Sequence, residues 1–96
     1  MTISIGPIAL ANPVLLAPMS GITDMAFRRI ARRLGAGLVV SEMVVGQELL
    51  NGSRESLRRV RFAEDEAPVV IQLAGNEATS LGEAARLAED LGAQII

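Results

Sequence analysis

The sequence predicts an α/β protein with a parallel sheet, built from an N-terminal hairpin and about three and a half βα units. Runs of branched aliphatic residues, typical of strands buried on both faces, begin near residues 14, 38, 69 and 93. Amphipathic segments separate these runs, and this alternation favours parallel strands joined by right-handed crossovers. Only two of the 96 residues are aromatic. The core is therefore expected to be aliphatic.

The first elements predicted are a hairpin, a strand and a helix. Isoleucine and leucine flank the turn dipeptide Gly6-Pro7 within residues 3–10, which predicts two short antiparallel strands. Residues 14–17 form an apolar run typical of a buried strand. A side-chain oxygen of Thr23 or Asp24 can cap the next helix, and a glycine at position 35 can end it.

This first helix has two kinds of surface. Its apolar residues recur at i, i+3, i+4 and i+7, which predicts a face packed against the sheet. They are Phe27, Ile30, Ala31 and Leu34. The arginines that lie largely on its other faces are Arg28, Arg29, Arg32 and Arg33. These arginines form either a solvated face or a surface that meets phosphates, although no aromatic side chains suited to base stacking accompany them.

The rest of the chain repeats the order of strand and helix. The predicted elements are a strand at 38–44, a helical turn with a loop at 46–52, a short helix at 53–59, a strand at 69–73, a helix at 76–91 and a strand from residue 93. Ser53 can cap the short helix and Gly92 can end the long one. A strand that stops at Ile96 leaves an unpaired edge. We therefore expect a larger protein, since a full (β/α)₈ barrel needs roughly 250 residues.

Composition excludes several classes of site. The chain has no cysteine and no histidine, which excludes disulfides and Ser-His or Cys-His dyads and disfavours a metal site. No apolar run approaches the roughly 20 residues of a membrane span, and residues 1–4 carry no basic segment of a secretory signal. We expect a cytoplasmic protein with no membrane partner. Charge is uneven: residues 1–61 hold eight arginines and four acids, or +4, while residues 62–96 hold one arginine and seven acids, or −6.

Ligands of parallel α/β folds bind at the carboxyl ends of strands, which selects three places in this chain. They are Ala17–Gly21, Ser41–Met43 and Gln72–Gly75. In the first, a proline and small residues let the backbone approach a flat ligand, and the Met19 thioether can pack on an aromatic ring. The same segment is also compatible with an ordinary turn that contains a core methionine.

Two polar residues at strand ends need hydrogen-bond partners if they are buried. The Gln72 amide, with both a donor and an acceptor, can bind the polar edge of a heterocycle or bond to neighbouring backbone. The Glu42 carboxylate can orient a ligand or pair with an arginine. Phosphate-binding signatures of the GxGxxG and GxxxxGK[ST] types are absent.

Two stretches, NPVLLAPMSGITDMAFRRIARRLGAGLVVSEMV and APVVIQLAGNEATSLGEAARLAEDLGAQII, resemble the N-terminal part of the tRNA-dihydrouridine synthases, in particular the bacterial branch. The APM-x-G-x-TD-x-x-FR element, the SEMV strand end and the P-V-x-x-Q-L-x-G strand occur in the family's order and at its spacing. The resemblance covers essentially the whole chain.

The resemblance implies that residues 1–96 are the N-terminal portion of an FMN-binding (β/α)₈ barrel. The family reduces the C5–C6 double bond of particular tRNA uridines: NADPH reduces FMN, the flavin delivers hydride to C6, and a cysteine protonates C5. By motif match, Pro18, Met19 and Ser20 contact FMN, and Gln72 hydrogen-bonds the flavin ring. The implied partners are tRNA and NADPH, and the implied full-length protein is monomeric.

Two features depart from the family's pattern. Ser20 stands where the family commonly has alanine, a change that backbone contacts to FMN would survive. The catalytic cysteine, the Lys, His and Arg around the flavin phosphate, and the helical tRNA-binding domain are expected beyond Ile96. No catalytic residue is therefore expected in this chain, which alone should show negligible turnover and weak or no FMN binding.

Two other interpretations are compatible with the sequence. The chain can belong to another FMN barrel, such as a dihydroorotate dehydrogenase-like or ene-reductase-like enzyme, because these share a Pro-Met turn. It can also be a small α/β module without catalysis that works through its arginine face.

Overall fold

A computed structural model describes residues 3–96, and Met1 and Thr2 of the N-terminal segment lie outside the described residues. The strands are β1 (Ile3–Ile5), β2 (Ile8–Leu10), β3 (Leu15–Leu16), β4 (Leu38–Val39), β5 (Val44–Val45) and β6 (Leu73–Ala74). The helices are α1 (Met25–Arg33), α2 (Gly46–Leu50), α3 (Arg54–Arg59) and α4 (Ala78–Asp90). The predicted order of a hairpin followed by alternating strands and helices is confirmed.

The strand segments lie side by side in chain order. β1 and β2 form the predicted antiparallel hairpin, β3 pairs in parallel with β4, and β5 pairs in parallel with β6. Val70 and Ile95 form a further parallel bridge, and the Ser41 N–H donates to the Val70 carbonyl at 3.0 Å. The parallel arrangement is confirmed, while residues 3–96 form three two-stranded sheets and no closed barrel.

Residues 69–73 form what we call the third strand segment, counted after the hairpin. Two apolar clusters form the core on its opposite sides, because successive strand residues point to opposite faces. Val69 and Ile71 join the larger cluster, which α2 and α4 cover with Leu49, Ala84 and Ala88 among other residues. The side chain of Val70 joins Leu10 and Leu38, against which residues of the hairpin pack. Both clusters are aliphatic, as the composition predicts.

The second predicted strand is interrupted between β4 and β5. The Ser41 Oγ accepts the N–H of Gln72 at 3.1 Å, so a side chain replaces a carbonyl in the ladder at this point. The ladder resumes where the Val44 N–H donates to the Gln72 carbonyl at 2.9 Å. A side chain at the strand end thus holds the two neighbouring strands together.

The predicted faces of α1 are wrong. Leu34 is 84% exposed, and Phe27 and Ile30 are also exposed, whereas Arg28 is 1% exposed. The reason is tertiary, because the loop before the third strand segment brings the Glu66 carboxylate to the side chain of Arg28. No element within residues 3–96 buries Phe27, Ile30 or Leu34, and only Ala31 of the predicted face is half-buried.

The buried face of α4 also differs from the prediction. Helical periodicity in the sequence predicts a face formed by Leu81, Ala84, Ala85 and Leu91, with Leu87 and Ala88 beside it. Ala84 and Ala88 are the fully buried members of the helix, and Leu91 lies beyond its last residue and is exposed. Alanines allow α4 to lie close to α2, where the Ala84 Cβ would lie 3.2 Å from a Cβ at Gly46.

Candidate functional site

The segment after β3 is a tight turn stabilised by its own hydrogen bonds. The N–H groups of Ile22 and Thr23 donate to the Met19 carbonyl at 3.0 and 2.9 Å. The Thr23 Oγ accepts the Met19 N–H at 2.9 Å and donates back to the Met19 carbonyl at 3.2 Å. Thr23 is fully buried. It therefore anchors the turn, while Asp24 alone caps α1 by accepting the Phe27 N–H at 2.8 Å.

Glu42, which lies between β4 and β5, connects this turn to the second of the predicted parallel strands, residues 38–44. Its side chain is 1% exposed, and its Oε1 accepts the Gly21 N–H at 2.7 Å. Gly21 has φ +77°, backbone that a residue without a side chain adopts readily. The other oxygen, Oε2, lies 3.6 Å from the Arg58 Nη2 and accepts no hydrogen bond within the part of the chain that the structure describes. Pairing with an arginine, one of the two roles considered for Glu42, is thus confirmed, while orientation of a ligand by this carboxylate stays a prediction.

Hydrogen bonds join all three strand ends selected by the sequence. The first end is bonded to the second through Gly21 and Glu42, and the second to the third through Ser41 and Gln72. The turn, the Ser41–Glu42 segment and the strand end at Gln72 therefore form one continuous edge. We call this edge the strand-end edge.

The residues predicted to contact a flat ligand are accessible on or next to this edge. Met19 is 37% exposed, Ser20 is exposed, and Pro18 and Gln72 are half-buried. The Gln72 side-chain amide makes no hydrogen bond to residues 3–96, so its donor and acceptor are free for a ligand. No protein atom lies within 4 Å of a Cβ built on Gly21, which leaves open space beside the turn. These features fit one side of a planar polar heterocycle such as a flavin.

Two arginines of helix α3 contact the Ser41–Met43 part of this edge. The Arg59 Nη1 donates to the Met43 carbonyl at 2.8 Å, and Arg58 lies beside Glu42. Both arginines also donate to Glu55, at 2.6 Å from Arg58 and 3.1 Å from Arg59. These hydrogen bonds lower the pKa of Glu55 to about 2, and the bond to Glu55 raises the pKa of Arg58. Glu55, Arg58 and Arg59 were not among the residues predicted from the sequence, although the i, i+3 and i, i+4 spacing of Glu55 and the two arginines is a signal for such pairs.

Two of the four arginines of α1 are hydrogen-bonded to other parts of the chain. Arg28 forms a two-point contact with Glu66 at 2.7 and 3.3 Å and also donates to the carbonyls of Thr23 and Arg61. Arg32 donates to three carbonyls, those of Ala36, Gly37 and Ala67. The remaining two, Arg29 and Arg33, lie 3.4 and 3.9 Å from Asp65. The solvated-face interpretation is wrong for Arg28, and whether Arg29 and the exposed Arg33 meet phosphates stays untested.

Three clefts open on the surface away from the predicted ligand residues. An apolar one of about 340 Å³ lies between α3 and the end of α4, lined by Leu57, Val60, Arg61, Phe62 and Leu91. A polar one of about 520 Å³ lies between α1 and residues 61–65. The third, of about 220 Å³, is lined by Asp24, Met25, Ala26, Arg58 and Arg61. Neither Gln72 nor the Pro18–Ser20 turn lines any of these three clefts.

Metal-binding clusters and membrane-spanning helices are not found among residues 3–96. Within residues 3–96, no group of three or more carboxylates is arranged to hold a metal ion. Among the helices in that range, none has the length and apolar character needed to cross a membrane.

Comparison with known proteins extends these observations. The family described as "Dihydrouridine synthase (Dus)" matches residues 15–96. A "Probable tRNA-dihydrouridine synthase" of Rhodobacter capsulatus is 53% identical over 98 residues, which cover 100% of this chain and 30% of the relative. A "Probable tRNA-dihydrouridine synthase" of Rickettsia bellii is 48% identical over 98% of this chain and 29% of its own length.

A "tRNA-dihydrouridine synthase B" of Pseudomonas aeruginosa is 52% identical over 98% of the chain and 28% of the relative. The chain thus spans less than a third of the length of the curated relatives it matches.

Proposed function

The chain belongs to the dihydrouridine synthase family, and from this premise we propose that it forms the front of an FMN-dependent (β/α)₈ barrel that reduces tRNA uridines to 5,6-dihydrouridine with NADPH. In this proposal residues 1–96 are the N-terminal portion of the barrel, and the remainder of the barrel and a helical tRNA-binding domain are separate from them. The complete protein is proposed to act as a cytoplasmic monomer.

The observation that carries this proposal is the hydrogen-bonded strand-end edge. In parallel α/β folds the ligand lies at the carboxyl ends of the strands. Here the exposed turn at Pro18–Ser20 and the unengaged amide of Gln72 lie on an edge joined by the bonds of Glu42 and Ser41. The predicted ligand residues thus lie on an edge whose strand ends are connected by hydrogen bonds.

In the proposed reaction, the site residues of this chain bind the flavin or position the residues that bind it. The backbone of Pro18, Met19 and Ser20 would lie against the flavin, and the Gln72 amide would bond to the polar edge of its ring. Bound FMN, reduced by NADPH, supplies the hydride that adds to C6 of uridine. Glu42 and Thr23 hold the turn so that its backbone does not move when the ligand binds. The proton for C5 comes from a cysteine outside these residues, so none of them is catalytic.

The test uses the complete reading frame that carries this segment, with the 96-residue chain as a matched control. The complete protein should purify with FMN, oxidise NADPH in the presence of unmodified tRNA and produce dihydrouridine detectable by mass spectrometry of nucleosides. Replacing Gln72 with leucine should weaken FMN binding, whereas Ser20→Ala should leave it unchanged, because the turn contributes backbone contacts. The 96-residue chain alone should show negligible turnover and weak or no FMN binding.

Specific outcomes would contradict the proposal. A reading frame that lacks an Asn-x-Gly-Cys-Pro-like element after Ile96 would remove the acid that the reaction requires. A flavin-coloured 96-residue chain that oxidises NADPH would refute the division of roles. FMN binding with reduction of a free pyrimidine or an enone, and none of tRNA, would favour the alternative FMN barrels instead.

A further inference from the structure

The most basic stretch of the chain outside α1 is residues 54–61. It contains four arginines and one acid, or +3 within eight residues of a chain whose net charge is −2. We call its arginines the α3 arginine surface, which consists of Arg54, Arg58, Arg59 and Arg61. Arg54, Arg58 and Arg61 are exposed, and Arg59 is half-buried.

The charge of this surface is largely uncompensated. Glu55 is the acid that Arg58 and Arg59 share, and Arg58 also lies near Glu42. Neither Arg54 nor Arg61 forms an ion pair with any acid of the described residues 3–96. By contrast, two of the four α1 arginines share Asp65, and Arg28 pairs with Glu66.

The α3 arginine surface adjoins the strand-end edge. Arg58 lies 3.6 Å from Glu42, whose other oxygen holds Gly21 of the turn, and Arg59 bonds to the Met43 carbonyl. Between Arg58 and Arg61 lies the cleft of about 220 Å³ beside the start of α1. Asp24 also lines this cleft, and its Oδ1 is engaged as the cap of α1. Glu42 therefore lies between Gly21 of the turn and the Arg58 guanidinium.

We propose that the α3 arginine surface binds the phosphate backbone of the RNA whose base is presented to the strand-end edge. This inference rests on the proposed function for the identity of the polyanion. Guanidinium groups match phosphate oxygens in geometry and charge, and remain charged at any working pH. Such contacts position the nucleic acid and carry no sequence information. The surface would orient the RNA without choosing which uridine is reduced.

Counterion release makes the binding constant for RNA depend on salt concentration, and this dependence can be measured. Each phosphate neutralised contributes roughly 0.7–0.9 to the slope of log K against log salt concentration. The arginines without ion pairs can be removed at little cost to the fold, because the side chains of Arg54 and Arg61 make no hydrogen bond within residues 3–96. The variant R54Q/R61Q therefore removes two charges from the surface and leaves its contacts with Glu42 and Glu55 intact.

The experiment measures binding of the 96-residue chain to an unmodified tRNA transcript by fluorescence anisotropy between 20 and 200 mM salt. The matched control R33Q/R86Q removes two exposed arginines elsewhere and changes the net charge equally. For R54Q/R61Q we expect the salt slope to fall by about 1.5 and affinity at 50 mM salt to fall about tenfold or more. We expect the control to match the wild type, and circular dichroism to show that both variants fold alike.

Three outcomes would overturn the inference. Equal losses in both double variants would mean that net charge alone attracts RNA, and absence of binding at 20 mM salt would mean that the surface does not take RNA. Binding to vesicles of anionic lipid at the same salt, lost only in R54Q/R61Q and accompanied by no RNA binding, would assign the surface to a membrane. Failure of the complete protein to form dihydrouridine, with the R54Q/R61Q effect intact, would refute the proposed function and leave the phosphate surface standing.

Discussion

Helices α1 and α3 are both rich in arginine, yet two arginines of α1 are bonded to distant parts of the chain, whereas most arginines of α3 stay exposed. Arg28 and Arg32 of α1 donate to carbonyls and, for Arg28, to the buried Glu66. Arg54 and Arg58 of α3 remain exposed, and one exposed acid compensates two of the arginines in that helix. The difference depends on what other parts of the chain present to each helix. An arginine becomes structural where carboxylates and carbonyls converge on it, and remains available for a partner where they do not.

The largest effect should come from the buried arginine. Replacing Arg28 with methionine leaves the Glu66 carboxylate and the Thr23 and Arg61 carbonyls without this partner in the interior. Breaking a buried ion pair at one end typically costs about 3–5 kcal/mol, so we expect most of the chain's free energy of unfolding to be lost. Denaturant unfolding followed by circular dichroism measures this.

Arg33→Met is the matched control, because Arg33 is exposed and lies 3.9 Å from Asp65. An exposed pair of this kind contributes about 0–1 kcal/mol. Equal losses of stability in the two variants would show that the buried Arg28 contributes no more to the free energy of unfolding than the exposed Arg33.

An intermediate effect is expected at Glu42, where α3 and the strand-end edge meet. Glu42→Ala removes the acceptor of the Gly21 N–H and the buried carboxylate beside Arg58. A lost hydrogen bond of this type costs about 1–3 kcal/mol. Hydrogen exchange should show faster exchange of the Gly21 amide, whereas amides of α4 change less.

Glu48→Ala serves as the comparison, since Glu48 is exposed on α2 and its side chain has no hydrogen bond within residues 3–96. Unchanged exchange at Gly21 in Glu42→Ala would show that Glu42 does not hold the turn. A uniform rise across all amides in that variant would instead indicate a general loss of stability.

The smallest effect concerns pH and the exposed pairs of α3. Because Arg58 and Arg59 lower the pKa of Glu55 to about 2, their contribution to stability is fully present above the ordinary glutamate value of 4.5. It is lost as the pH falls from 4.5 through about 2. Wild type and Glu55→Gln should therefore differ slightly in melting temperature at pH 6 and converge near pH 2.

Glu77, whose pKa is lowered by hydrogen bonds from the Ser80 N–H and other groups, contributes equally to both proteins and cancels in this comparison. A difference that grows below pH 4.5 would contradict the direction of the Glu55 shift.

The elements and the place of the site follow from local features of the sequence. Gly6-Pro7, Ser53 and Gly92 mark the hairpin, the start of α3 and the end of α4 as predicted. Alternation of strands and helices predicted which strand ends meet, and hydrogen bonds join all three of them. That Pro18, Met19, Ser20 and Gln72 bind FMN stays a prediction.

The sequence by itself determined the period of each segment, its caps and the succession of strands and helices along the chain, because these depend on neighbours within a few residues. Only the tertiary structure decided the fates of Arg28 and Glu42. The partner of Arg28 lies 38 residues away, and that of Glu42 lies 21 residues away. Helical periodicity ranks the faces of α1 by hydrophobicity alone. It cannot register that a distant carboxylate and two carbonyls make one of the four arginines the most deeply buried side chain of the helix.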